Sequence, residues 1–453
     1  MKKGLHFSFS TSHIIILSFL AAILVGSVLL SLPVSAANGE AVPYIDALFT
    51  ATTATCVTGL VTLSTATTWS VFGQAVILLL IQIGGLGVIT VLAGLTSLLN
   101  HKMGLGDRIL LQDAFNLNTL SGLAEFVKKV IFGTLLIEAI GALLYMTVFV
   151  PQLGARGVWV SVFNSVSAFC NAGIDIIGEN SLCDYATSTR INFITCGLVV
   201  MGGLGYIVWW DLLRVCKDFR RKKGKAFCGM TLHSKIVLST TAILIVSGAI
   251  LFFIFEYHNP LTMKECSVWE KIEMSLFQSV TTRTAGFATV PQENLTNASS
   301  IISLLLMFIG GSPVGTAGGI KTVTVAVLIA SAVSAIKNKN EVTLFHRAIT
   351  KQTVGKATAV AGMSFLILFV STVLLSVVTD ASALDILYET VSATATVGLT
   401  RNLTPLLNDW GKLIIIVTMF LGRVGPISLA IAFRLRRENQ NLVKNPIEEI
   451  SVG

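Results

Sequence analysis

The chain has 453 residues; with Gly counted in place of Tyr, about 60% of them are apolar and only 12% are charged, against about 45–50% and about 25% in soluble domains. So few charges cannot cover a water-soluble globule, and the mean hydropathy of +0.79 agrees. Composition excludes a disordered chain and a disulfide scaffold, and it points to a polytopic membrane protein.

A membrane helix needs about 20 mostly apolar residues, and eight such stretches are predicted, at 14–33, 69–98, 130–150, 189–210, 236–256, 298–335 (interrupted), 356–379 and 411–433. The first follows Lys2 and Lys3 and ends at Val34-Ser35-Ala36-Ala37, so it imitates a signal peptide. Its apolar run exceeds the usual length of about 7–15 residues, and it opens a pattern that recurs three more times, so it is read as an uncleaved span. Within each successive pair of spans lies a half-polar segment of about a dozen residues, too short to cross and therefore read as re-entrant.

Of the 32 Lys and Arg, 23 fall in the N-terminus, the loops 99–129, 211–235 and 336–356, and the C-terminal tail. The positive-inside rule puts these segments and both termini in the cytoplasm. The run Arg220-Arg221-Lys222-Lys223-Gly224-Lys225 reads as an anchor against anionic membrane lipid, not as a nucleic-acid contact. Three further cations, Arg283, Lys321 and Arg423, fall at membrane depth. Cys56, Cys170, Cys196 and Cys216 lie in or beside apolar segments as small hydrophobes. Cys183 and Cys266 fall in outer loops, where a bridge is possible but unsupported, and the 6 His form no ligand spacing.

The four short segments align. In each, an aromatic precedes a glycine by 10, 10, 9 and 10 residues (Phe49 to Gly59, Phe163 to Gly173, Phe277 to Gly286, Tyr388 to Gly398). A second glycine cluster follows in the next span, starting at Gly84, Gly202, Gly310 and Gly422. One such glycine would suggest only close helix packing; four in register imply a common unit of span, half-helix, polar glycine-ended strand and span. The expected fold is an all-α polytopic membrane protein of eight transmembrane helices, arranged as four tandem helix–pore-loop–helix repeats with pseudo-fourfold symmetry around one pore. The repeats divide at 1–100, 101–215, 216–336 and 337–436, with a cytoplasmic tail 437–453.

Non-helical backbone at membrane depth is tolerated only where protein buries it or water lines it. A descending half-helix with a returning Ser/Thr/Gly strand therefore implies a pore whose carbonyls replace the hydration shell of a monovalent cation. The negative end of each half-helix faces that cation. Thr and Ser before the glycines can add hydroxyl oxygens, while Val57 and Val397 point away and brace the strand. Asp175, two residues past Gly173, reads either as an outer-mouth acid that concentrates cations or as an ordinary solvated loop acid.

The endings Val57-Thr58-Gly59, Asn171-Ala172-Gly173, Thr284-Ala285-Gly286 and Thr396-Val397-Gly398, each flanked by two spans, resemble those of the Trk/Ktr/HKT superfamily of potassium transporters, and most of all the membrane subunit of the bacterial Ktr system. The resemblance implies potassium selectivity from four filter glycines, and Gly59, where sodium-passing members tend to carry Ser, argues for potassium. Cys56 and Cys170 are less usual polar substitutes in the filter. It also implies transport across the plasma membrane, a homodimer with the tail near the dimer contact, and a cytosolic ring of nucleotide-binding regulatory subunits. The chain itself has no dinucleotide fingerprint and is expected to bind no cofactor; sodium dependence occurs in similar proteins, but no residue pattern here marks a sodium site.

Gly310-Gly311-Ser312-Pro313-Val314-Gly315-Thr316-Ala317-Gly318-Gly319-Ile320-Lys321-Thr322 cannot remain a continuous helix. It lacks the Gly-Lys pair and the preceding strand of a phosphate-binding loop. It is read as a loop across the conduction path just inside the filter, and the resemblance implies an intramembrane gating loop at this place. Arg423 is expected either to bond loop carbonyls and hold the gate shut or to pair with a buried acid, and Glu138 has no evident partner. An alternating-access transporter would show inverted repeats, whereas these are parallel. An intramembrane enzyme would need a nucleophile, metal or paired-carboxylate arrangement at membrane depth, and none is placed there.

Overall fold

The computed structural model describes residues 11–88, 90, 91, 93, 109, 111, 122–222, 229–339 and 341–425. Lys2, Lys3, most of the loop 99–129, the end of the basic run after Lys222 and the tail 437–453 lie outside the described residues.

Among the described residues, four long helices are apolar enough to cross a membrane: α1 (Thr11–Leu30), α5 (Leu123–Leu153), α9 (Leu232–Glu256) and α13 (Lys351–Val378). They are apolar nearly all round, and they expose Val25, Phe132, Ile243 and Phe365. Outward apolar surface of that extent fits acyl chains and not water. Some of their polar side chains turn inward: Thr134, Glu138 and Glu256 are buried.

After each long helix comes a short one, in order α2 (Tyr44–Cys56), α6 (Ala155–Cys170), α10 (Val268–Thr281) and α14 (Ala383–Ala395). Their deep ends are polar yet buried, for example Thr50, Thr52, Thr53 and Thr55 in α2. A single turn, α3 (Thr65–Thr68), then leads into α4 (Val71–Leu86); the corresponding helices are α7 (Thr189–Leu204), α11 (Asn297–Phe308) and α15 (Asp409–Val424).

The predicted continuous spans 69–98, 189–210 and 411–433 are corrected by the structure, in which these helices stop at Leu86, Leu204 and Val424. Each stop is followed by a glycine with φ of +85°, +86° and +85° at Gly87, Gly205 and Gly425. That backbone is open to glycine and costly for other residues, so hydropathy continues through a point where the helix cannot. After Gly205 the chain turns by 98° into α8 (Tyr206–Lys222). In the third unit the same level holds the loop Ile309–Lys321, after which α12 (Thr322–Ile336) resumes. A second departure from an all-α fold is an antiparallel hairpin, β1 (Val342–Leu344) with β2 (Arg347–Ile349). Left-handed Phe345 and His346 form its two-residue turn, the backbone that matches strand twist.

The units close into a ring. α4 packs on α6, α7 on α10, α11 on α14, and α15 on α2. A polar staple accompanies each contact. Trp159 donates to Gln74 at 2.8 Å, Thr189 to Glu273 at 2.8 Å, Tyr388 to Gln292 at 2.9 Å, and Lys412 pairs with Asp46 at 2.6 Å. Cys183 and Cys266 are both free thiols, so the outer bridge left open above is not formed.

Candidate cation-conduction site

Each short helix ends just before its glycine strand. α2, α6 and α14 terminate at Val57, Asn171 and Thr396, all with left-handed backbone, and α10 is followed within three residues by left-handed Thr284. Gly59, Gly173, Gly286 and Gly398 also have positive φ, at +99°, +65°, +83° and +96°. Each unit thus repeats the same backbone signature, which a Cβ at the glycine would strain.

The four glycines meet. A Cβ built on Gly59 would fall 2.5 Å from the Ala172 carbonyl oxygen, one on Gly173 would fall 2.6 Å from that of Ala285, and one on Gly286 would fall 2.6 Å from that of Val397. One on Gly398 would strike the carbonyl of Thr58 and close the circle. The strands therefore abut in sequence order, each glycine against the carbonyl of the next unit. Among the described residues the hydroxyls of Thr58, Thr284 and Thr396 are buried beside these glycines without a protein partner.

One hydroxyl residue per short helix fixes each strand, a role the sequence reading did not assign. The Thr53 carbonyl accepts from Thr58 N–H at 2.8 Å and its hydroxyl from Gly59 N–H at 3.0 Å; Ser392 does the same for Val397 and Gly398. The Ser167 carbonyl accepts from Ala172 N–H, and its hydroxyl bonds both backbone groups of Ile174. The Thr281 carbonyl accepts from Ala285 N–H, and its hydroxyl donates to the Phe287 carbonyl at 2.5 Å. The only signal in sequence is a Ser or Thr six residues before the glycine in three segments and five before it in the third.

Val57 packs against Gly84 rather than toward the ring, as its predicted bracing role requires. The thiols depart from expectation: Cys56 lies in an apolar cluster with Phe49, Ile415 and Met419, and Cys170 reaches behind the ring to the Glu138 carboxylate at 3.7 Å. Glu138 therefore does have partners, since Gln82 also donates to it at 3.2 Å. The second glycine clusters serve close approach, for a Cβ on Gly84, Gly202 or Gly422 would strike the carbonyls of Thr55, Phe169 and Thr394, near the ends of the short helices.

Above the ring, a cavity of about 330 Å³ is lined by all four glycines and by Asp175, Glu179 and Glu293. Asp175 is half-buried. Burial pushes its carboxyl up to about 6 despite hydrogen bonds from Ser181 and the Ile177 and Gly178 amides.

Below the ring sits the loop Ile309–Lys321. Its base is pinched shut by Gly310 N–H to Ile320 O at 3.0 Å and Ile320 N–H to Phe308 O at 3.2 Å. Ser312 and Thr316 amides donate to the carbonyls of Gly203 and Gly202 at 2.9 and 3.2 Å, and Val314 O accepts from Tyr206 N–H at 3.0 Å. A Cβ on Gly205 would sit 2.5 Å from the Pro313 carbonyl, and Gly315 lies against the same turn. The Thr316 hydroxyl donates to Asn171 Oδ1 at 3.0 Å, and Gly318 lies against Thr396, so the loop touches two of the four strands directly. Gly311 N–H bonds Gly318 O, a Cβ on Gly319 would sit 2.9 Å from Gly310, and Lys321 donates to Ala317 O at 2.6 Å. Arg423 donates to Thr316 O at 2.7 Å and to Gly84 O; among the described residues its partners are carbonyls, not an acid.

The TrkH family model, described as a cation transport protein, matches residues 5–445. The potassium/sodium uptake protein NtpJ of Enterococcus hirae is 38% identical over 459 residues, covering 100% of this chain and 99% of that protein. The Ktr system potassium uptake protein B of Bacillus subtilis is 38% identical over 446 residues, covering 98% and 97%. The crystal structure of the potassium transporter TrkH from Vibrio parahaemolyticus matches with a TM-score of 0.74 at 17% identity, over 96% of this chain and 87% of that one, which establishes a common fold. The chain is a membrane protein that belongs to the TrkH family of cation transport proteins, a family of ion transporters and not of enzymes.

Proposed function

We propose that this chain is the channel-like membrane subunit of a potassium uptake system in the bacterial plasma membrane. It crosses the membrane eight times in four parallel repeats, with both termini in the cytoplasm. The observation that carries this reading is the closed circle of Gly59, Gly173, Gly286 and Gly398, each against the next unit's carbonyl. The strands 56–59, 170–173, 284–286 and 396–398 form the selectivity filter, Asp175 stands at its outer mouth, and the loop 310–322 with Arg423 is the gate. An interior-negative potential contributes about 2.3 kcal/mol per charge per 100 mV, on the order of 40-fold accumulation at about 1.4 kcal/mol per tenfold.

The Ktr-system relative supports a regulatory partner subunit; from the superfamily resemblance the proposal extends to two membrane subunits on a ring of cytosolic nucleotide-binding regulators. A sodium-permeable or sodium-coupled variant is the second reading, favoured by the potassium/sodium uptake relative. Growth of potassium-uptake-deficient cells at low potassium tests the function: rescue by this chain with its regulatory partner is expected, and failure to rescue counts against it.

A further inference from the structure

Arg283 has no assigned role, yet its surroundings are unusual. Its side chain is 7% exposed, and it immediately precedes Thr284, whose φ of +64° opens the third glycine strand. Its Nη2 donates to the Gly310 carbonyl at 3.1 Å, at the point where the loop leaves α11. Its Nε has no acceptor among the described residues, and it borders a cavity of about 20 Å³ shared with Thr241 and Gly311. Among the described residues no carboxylate forms an ion pair with it. A buried guanidinium held by a single loop carbonyl depends strongly on that one contact, because losing it leaves a charge unpaired. Arg423 grips the same loop further along, at Thr316.

We infer that Arg283 is a positioning residue that ties the loop to the third glycine strand, so that the loop cannot leave its docked place without releasing the segment that presents Gly286. The loop is thereby latched at its start and near its middle by arginines of two different units, Arg283 from unit 3 and Arg423 from unit 4. The inference rests on the reading of the loop as the gate.

Rubidium flux through the full chain in proteoliposomes tests it, with Arg283→Gln and Arg283→Lys made both in the intact protein and in a variant lacking residues 312–318. Arg283→Gln should raise flux about tenfold, equivalent to about 1.4 kcal/mol, with the potassium-to-sodium ratio kept. Arg283→Lys, whose ammonium can still reach one carbonyl, should restore most of the closure. In the loop-shortened background Arg283→Gln should add nothing. An equal rise in both backgrounds, no rise in the intact protein, or a fall in flux and selectivity in both backgrounds would overturn the tie while leaving the gate in place. A shortened loop that leaves flux unchanged would instead sink the gate reading, and this inference with it.

Discussion

A side chain at Gly59 must displace the Ala172 carbonyl, because its Cβ would fall 2.5 Å from that oxygen at a φ of +99°. Gly59→Ser is therefore expected to open the circle between units 1 and 2 and to lower the potassium-to-sodium permeability ratio by about tenfold, about 1.4 kcal/mol, read as sodium entry into cells. At the outer rim, Asp175 with a carboxyl near 6 is charged above that pH and neutral below it. Its attraction for cations is present at pH 7 and lost as pH falls through about 6, so uptake from dilute potassium should weaken over that window. Asp175→Asn should remove the pH dependence; an unchanged profile would mean the acid plays no part. The glycine register was legible because spacing is a property of the chain, while for Asp175 the chain left an outer-mouth acid and an ordinary loop acid both open. The partners of Glu138 were not, since Gln82 and Cys170 lie on other elements and meet it only through packing.

The loop Ile309–Lys321 could be foreseen as an element because five glycines and a proline cannot stay helical. What it docks on could not, for its acceptors Gly202 and Gly203 belong to the preceding unit. Removing residues 312–318 should raise rubidium flux severalfold or more, and Arg423→Gln should do so by about tenfold, the loss of one charge-assisted bond of about 1.5–3 kcal/mol being ample. Equal flux in wild type and variant would refute the latch. The helix ends at Gly87, Gly205 and Gly425 were missed because apolar residues continue past them, and a periodicity argument cannot see a positive φ. The β1–β2 hairpin was missed for a related reason: its turn residues, Phe345 and His346, are not the usual Asn or Gly.

At the level of the molecule, register alone led to the expectation of four units, but the order in which the helices pack was not readable from it. Only the contacts between α4 and α6, α7 and α10, α11 and α14, and α15 and α2 give it, together with their staples. The last staple joins the ends of the chain: Lys412 and Asp46 are 14% and 8% exposed and 2.6 Å apart. Lys412→Ala would leave Asp46 buried and unpaired, which costs about 3–5 kcal/mol for a buried pair. The variant should melt at a lower temperature in detergent, and Asp46→Leu/Lys412→Met should recover most of the loss. The glycine circle closes where Gly398 of the fourth unit meets Thr58 and Gly59 of the first.

In the proposed function, this closed circle selects the transported cation. It is tested most directly by expressing the chain with its regulatory partner in potassium-uptake-deficient cells at low potassium, and comparing wild type with Gly59→Ser for growth and sodium entry. Rescue by the wild type, with weaker rescue and increased sodium entry in the variant, is the expected result; no rescue by the wild type, or a variant with unaltered selectivity, would contradict it.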